Sequence, residues 1–355
     1  GTNGSTDNVT INGAELVTLE RDSGLTTGSM LTISAATETT IKGLIFDGAE
    51  VAHTSFNRGG AIETASTDLT IEDSRFEDNR ASQGGAVYGV NVTVTRSTFL
   101  GNQSVSEGGA LRTDGGDSEI FESTFENNKS LKDNGGAIDT EKISITDSDF
   151  IDNVANFEKY GSSHYKGGAV RADEGVSISG STFDGNKVEG NGSEDALGGA
   201  VYVKEMSSNA DYELEITDSI FVRNEAGSAT EDGRGGAIYF GNNVNGEIVI
   251  SNSRFGDLDD DTKGNKAYGE DGGAIEVESE SSSGSMTVTD STFAFNEGDK
   301  GGAILIRFPL TIERSLFYKN KGNNDGGAIE AEDDVTISDS SFVGNTSEED
   351  GGAIV

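Results

Sequence analysis

Short segments in which apolar and polar residues alternate recur along the whole chain, each of the form apolar-x-apolar-x-x-Ser-x-Phe. Leu69-Thr70-Ile71-Glu72-Asp73-Ser74-Arg75-Phe76 and Val335-Thr336-Ile337-Ser338-Asp339-Ser340-Ser341-Phe342 are two examples. A period of two is the signature of a half-buried strand, so each segment predicts one strand or two. Asn follows the Phe by three positions in Phe76/Asn79, Phe99/Asn102, Phe125/Asn128, Phe150/Asn153, Phe183/Asn186, Phe221/Asn224, Phe293/Asn296, Phe317/Asn320 and Phe342/Asn345. Phe255 departs from the pattern, with Leu258 where Asn is expected.

A second element lies between these segments. Gly-Gly-Ala starts at Gly59, Gly84, Gly108, Gly135, Gly167, Gly198, Gly235, Gly272, Gly301, Gly326 and Gly351, and each copy is followed by Ile, Val or Leu. The starts are 25 residues apart in the pairs 59/84, 301/326 and 326/351, and 37 apart at most. About 25 residues suit one coil of three short parallel strands with their turns, and a repeat of this length signals a solenoid. The expected fold is therefore an all-β, right-handed parallel β-helix of about eleven to twelve rungs, a single domain over residues 1–355, with handedness set by the usual crossover rule. The longer spacings predict loops at one corner, over 154–166, 188–197, 226–234 and 256–271, each between Phe-x-x-Asn and the next Gly-Gly-Ala. Insertions gathered on one edge of a solenoid mark a working face.

Strand alternation assigns the facing of each column. Ile62, Val87, Leu111, Ile138, Ile238 and Ile304 are expected inside, with Val203, Phe240, Val277 and Ile306 two positions further on. The next column is Glu63, Tyr88, Arg112, Asp139, Arg171, Tyr202, Tyr239, Glu276, Leu305 and Glu330, and so many polar groups predict an outward, solvated column. The Ala of Gly-Gly-Ala is expected to point outward too. The Phe column should stack in the core. The Asn and Ser columns should form ladders from rung to rung, the glycine pairs permitting a tight corner.

Fifty glycines, one proline and a hydrophobic share of 33% fit a thin continuous core better than two globular ones. A formal charge of -38 repels phosphate backbones and anionic lipid heads, which argues against nucleic-acid partners. No apolar run reaches the roughly 20 residues needed to insert directly in a bilayer. With no cysteine, disulfides and thiol chemistry are excluded.

Alternating Gly-Gly-Ala-Ile and Phe-x-x-Asn tetrapeptides, from Phe46 to Ile354, resemble the passenger region of the chlamydial polymorphic membrane proteins and related bacterial repeat proteins. The resemblance implies a secreted autotransporter passenger at the cell surface, a β-helix fold, and adhesion to a cell-surface protein or glycan in which the tetrapeptides themselves take part. The present sequence shows no translocator barrel or signal peptide, and is expected to be the mature part or a fragment of a longer precursor.

Candidate contact residues are the tyrosines and arginines of the outward column: Tyr88, Arg112, Arg171, Tyr202 and Tyr239, residue types favoured at interfaces. A carbohydrate-active enzyme would need a distinct site, and none stands out, so a non-enzymatic role is expected. Thr93/Thr95 and Thr287/Thr289 hint at flat threonine arrays, but Glu119, Glu215 and Val249 break them. His53 and His164 lack metal-ligand spacing. Calcium is the one cofactor with a candidate site, at Asp257, Asp259 and Asp261, which offer carboxylates at alternate positions but lack the glycine and closing Glu of a calcium loop. Finally, Asn8-Val9-Thr10-Ile11 resembles the strand that follows Gly-Gly-Ala-Ile elsewhere, so an open last rung could be continued by a second copy, giving a head-to-tail filament.

Overall fold

A computed structural model of the chain describes residues 9–20, 28–34, 38–49, 57–64, 68–155, 165–190, 195–205, 214–243, 246–278 and 284–355. The predicted segments fold as strands that pair in parallel, one coil upon the next. Thr98–Leu100 lies between Arg75–Glu77 and Thr124–Glu126, and Phe99 is in register with Phe76 on one side and Phe125 on the other. The chain is a parallel β-helix. One large sheet system carries the two long faces, and a narrow sheet of two-residue strands running from Arg80–Ala81 to Lys321–Gly322 closes the third side. Among the described residues, no helix is long and apolar enough to cross a membrane.

The interior consists of columns. Phenylalanines from Phe46 to Phe342 form one uninterrupted stack, with neighbouring ring centroids 4.6–5.0 Å apart and planes within 8°. That distance is close to the strand spacing, so the rung repeat itself brings ring upon ring. The aliphatic residues after Gly-Gly-Ala and their partners Val203, Phe240, Val277 and Ile306 share this core, as the alternation predicts.

At the corner after each Phe, the Asn side chain saturates its hydrogen bonds. Asn102 Nδ2 donates to Asn128 Oδ1 (3.0 Å) and to the Phe76 carbonyl (3.0 Å), while Asn102 N donates to the same Asn128 oxygen at 3.0 Å. Repeated rung after rung, this leaves no donor or acceptor of a fully buried amide unmade. The serines do likewise: Ser97 N donates to Ser123 Oγ at 3.1 Å, and Ser97 Oγ donates to the Thr95 carbonyl at 2.8 Å.

Two assignments are corrected. Asn265, and not a residue three after Phe255, supplies that rung's amide, linking Asn224 to Asn296 at 2.9 and 3.0 Å. The 256–264 portion of the long insertion thus lies inside the Phe-x-x-Asn element, not after it. The alanines of Gly-Gly-Ala from Ala61 to Ala328 are buried in the main core, not turned outward. The amides of Ala61 and Ile62 both donate to the Ala86 carbonyl, at 2.9 and 3.0 Å. Two donors on one acceptor mark a corner, so alternation cannot be counted back through it.

Candidate functional site

The corner before each outward column sets the geometry of the site. The first glycine has positive φ, from 53° at Gly59 to 69° at Gly198. A Cβ on the second would lie 1.9 Å from the next rung's backbone, as between Gly109 and the Gly136 carbonyl oxygen. One glycine is required by its dihedral, the other by the closeness of the coils. The turn is tight enough that the side chain just before the pair lies against the outward column of its own or the next rung. Glu107 accepts from Arg112 Nε at 3.0 Å, the Arg58 guanidinium lies 4.5 Å above the Tyr88 ring, and the Lys166 ammonium lies 4.9 Å above Tyr202.

This crease corrects the expectation of a solvated column. Tyr88, Tyr202 and Tyr239, together with Asp139, Glu276 and Leu305, are buried, whereas Arg112 and Arg171 keep a partial exposure. Their side chains turn away from the main core as alternation requires, but a second layer covers them. Three two-residue strands, Tyr165–Lys166, Ala196–Leu197 and Gly233–Arg234, pair in parallel at this corner. Leu197 packs with Tyr202 and Tyr239, whose rings stack 5.6 Å apart. Tyr88 donates its hydroxyl to Asp114 at 2.7 Å, and burial together with that bond pushes the phenol up to about 12. Changing Tyr88, Tyr202 and Tyr239 together to serine is therefore expected to remove packing, with a loss on the order of 5 kcal/mol or more in denaturant unfolding. An unchanged unfolding midpoint would restore the solvated reading.

Charge is arranged along the crease in stacked pairs. Asp139 is fully buried between two guanidiniums, Arg112 Nη1 at 3.2 Å and Arg171 Nη1 at 3.1 Å. Burial pushes its carboxyl up to about 6, against the opposing pull of Arg171 and Arg112. Further along, Arg234 faces four carboxylates: Glu278 at 3.1 Å, Asp195 at 3.4 Å, and Glu270 and Glu276 at 3.6 Å. Sequence reasoning missed this network, although Glu107 and Arg112, five positions apart across one glycine pair, carry opposite charges that could have signalled it.

The acidic loop is built differently. Asp257 accepts from Lys263 Nζ at 3.2 Å and from Asp259 N at 3.2 Å, and Asp260 caps the short turn Asp261–Lys263 by accepting from Thr262 N at 3.0 Å. These bonds hold the Asp257 carboxyl below the usual range, chiefly through the Asp259 amide. Among the described residues, no three histidine or acidic side chains are placed to hold a metal ion. Leu258 stands at the loop tip, 41% exposed. His53 and His164 lie outside the described residues.

One copy of the repeat carries a resemblance to known proteins. Residues 122–141 match the Chlamydia polymorphic membrane protein repeat. The matched stretch holds both tetrapeptides, Phe125-Glu126-Asn127-Asn128 and Gly135-Gly136-Ala137-Ile138, and therefore one Phe ring, one ladder amide and one crease corner. Resemblance to the polymorphic membrane protein repeat region thus rests on residues whose structural roles recur from the Phe76 coil to the Phe317 coil. The repeat is that of surface-exposed, passenger-like autotransporter proteins. No curated protein and no solved structure matches the chain.

Proposed function

We propose that the chain is an adhesin-like display rod, a non-catalytic solenoid that presents contact loops outside the cell. The observation that carries this reading is the polymorphic membrane protein repeat matched at 122–141, because that repeat occurs in surface passengers. The architecture supports it: Phe, Asn, Ser and glycine pair are each consumed by packing or hydrogen bonding, so the recurring residues build the rod and variation is left to the insertions. Burial of the tyrosines moves the contact surface away from the column and onto projecting loops such as 256–264, where Leu258 is exposed on an acidic tip. The partner is then a surface protein or glycan reached through such loops.

The test is attachment of beads carrying the chain to cultured cells and to an immobilised glycan panel. Leu258→Ser is expected to leave stability within about 0.5 kcal/mol, as exposed substitutions do, while lowering attachment. Attachment equal to that of the parent chain rejects this loop as the contact. Absence of attachment to every surface rejects the adhesin reading itself.

A further inference from the structure

We propose that Glu276 is the proton-operated latch of the crease: its carboxyl, sealed beneath the Arg234 guanidinium, holds the Gly233–Arg234 strand and the adjoining Asp271 turn against the rod while protonated, and favours their opening once the proton is lost. The geometry is that of a neutral acid. Glu276 has no solvent exposure, and neither carboxyl oxygen has a hydrogen-bond partner among the described residues. Among the described residues its one cation within 4 Å is Arg234, whose Nη1 stands at 3.6 Å, outside hydrogen-bonding distance, and is already engaged by Glu278 at 3.1 Å.

The elements packed around the carboxyl bring more acidic groups to it than basic ones. On the rung before, its register partner is Tyr239, and on the rung after it is Leu305, and neither donates a hydrogen bond to the carboxyl. The turn before the strand contributes Glu270 and Asp271, the strand's own end contributes Glu278, and Asp195 reaches Arg234 from a neighbouring insert. Arg307, 4.0 Å from Glu278, is the second cation. An ionised Glu276 would thus join Asp195, Glu270, Asp271 and Glu278 against the Arg234 and Arg307 guanidiniums and the Lys300 ammonium beside Asp271, in a place from which water is excluded. An unsolvated carboxylate there costs several kcal/mol.

Burial accordingly pushes the Glu276 carboxyl up to about 8, with Arg234 opposing and Asp271 reinforcing the shift. When the layer opens, the group returns to its ordinary value of 4.5. The sign follows from proton linkage: the closed form holds a proton that the open form releases. The open fraction therefore rises about tenfold per pH unit between those two values and levels off above the higher one. The layer that opens is made of strands only two residues long, which few backbone hydrogen bonds hold in place.

Amide hydrogen exchange, corrected for its intrinsic pH dependence, tests this on the whole chain. Three amides report on the latch: Gly233, bonded to the Tyr268 carbonyl, Gly235, bonded to Asp271, and Gly272, bonded to Lys300. Their protection should fall about tenfold per unit from pH 5 to pH 8 and flatten beyond, while Ile250 in the core stays constant. In Glu276→Gln the three amides should stay protected at every pH. A parallel pH profile in parent and variant would falsify the latch. Should the variant fail to fold, carboxyl carbon NMR of the parent chain decides: a Glu276 resonance titrating below pH 6 overturns the proposal, and one titrating near pH 8 supports it.

Discussion

Replacing Phe125 with alanine is expected to destabilise the solenoid by about 3–5 kcal/mol. The ring has no solvent exposure and stacks on Phe99 at 4.6 Å and on Phe150 at 5.0 Å, so its removal opens a cavity and breaks two ring contacts at once. Collapse cannot heal the gap, because the Asn128 ladder on one side and the Ser123 ladder on the other fix the coil in register with both neighbours. In a one-dimensional stack such a lesion acts on the two interfaces of its own rung, and the rest of the rod keeps its nearest-neighbour contacts. Chemical denaturation followed by far-ultraviolet circular dichroism measures the loss. A shift worth under about 1 kcal/mol would mean that the stack is not a source of stability.

The second large effect is expected at Asp139. Asp139→Ala should cost about 3 kcal/mol, because it leaves Arg112 and Arg171 facing one another across a site with little access to water. That is the low end of the range for breaking a buried pair, since both guanidiniums retain some solvent contact. Exchanging the three residues together, Arg112→Met with Asp139→Leu and Arg171→Met, should recover most of that loss, as apolar replacement of whole buried charge networks does. If the triple exchange is as unstable as the single one, the crease depends on shape and not on charge.

The contrast between these two sites shows what the amino-acid order reveals by itself. Phe125 and Asn128 recur at a fixed offset, and a residue that occupies the same place in every coil must meet its own kind on the next, so the ring stack and the amide ladder were legible. Asn265 was hidden by the insertion that separates it from Phe255, although Asn265-Lys266-Ala267 repeats the form of Asn153-Val154-Ala155 and Asn224-Glu225-Ala226. The crease was misread for a different reason. Polarity at Tyr88, Asp139 and Tyr239 suggested water, but Tyr88 finds Arg58 and Asp114, Asp139 finds Arg112 and Arg171, and Tyr239 stacks on Tyr202, beside a turn whose folding back is set by φ and not by residue pattern. Two further corners escaped notice altogether. Asp73, Arg96, Glu122 and Asp147 stand at φ values of 46–48° before the serines, and Asp78, Asn127 and Asp152 at 50–56° before the asparagines. Asp and Asn enter this left-handed region with little strain, and Gly101, Gly180 and Gly185 take the same places in other coils. A column that mixes Asp, Asn and Gly is the trace such corners leave in a sequence.

The parallel stacking of coils also fixes how the rod behaves when it is pulled from its ends. The backbone bonds that join rung to rung lie along the long axis, so tension is borne by one coil's bonds at a time and not shared among strands lying side by side. The outermost coil peels away first. Gly-Gly-Ala spacings of 24 to 37 residues set the chain released at each step, roughly 80–130 Å of extended backbone per coil. A rod tethered at one end and loaded at the other would lengthen in such increments and dissipate work at each one, an extensible tether in which the remaining coils stay folded.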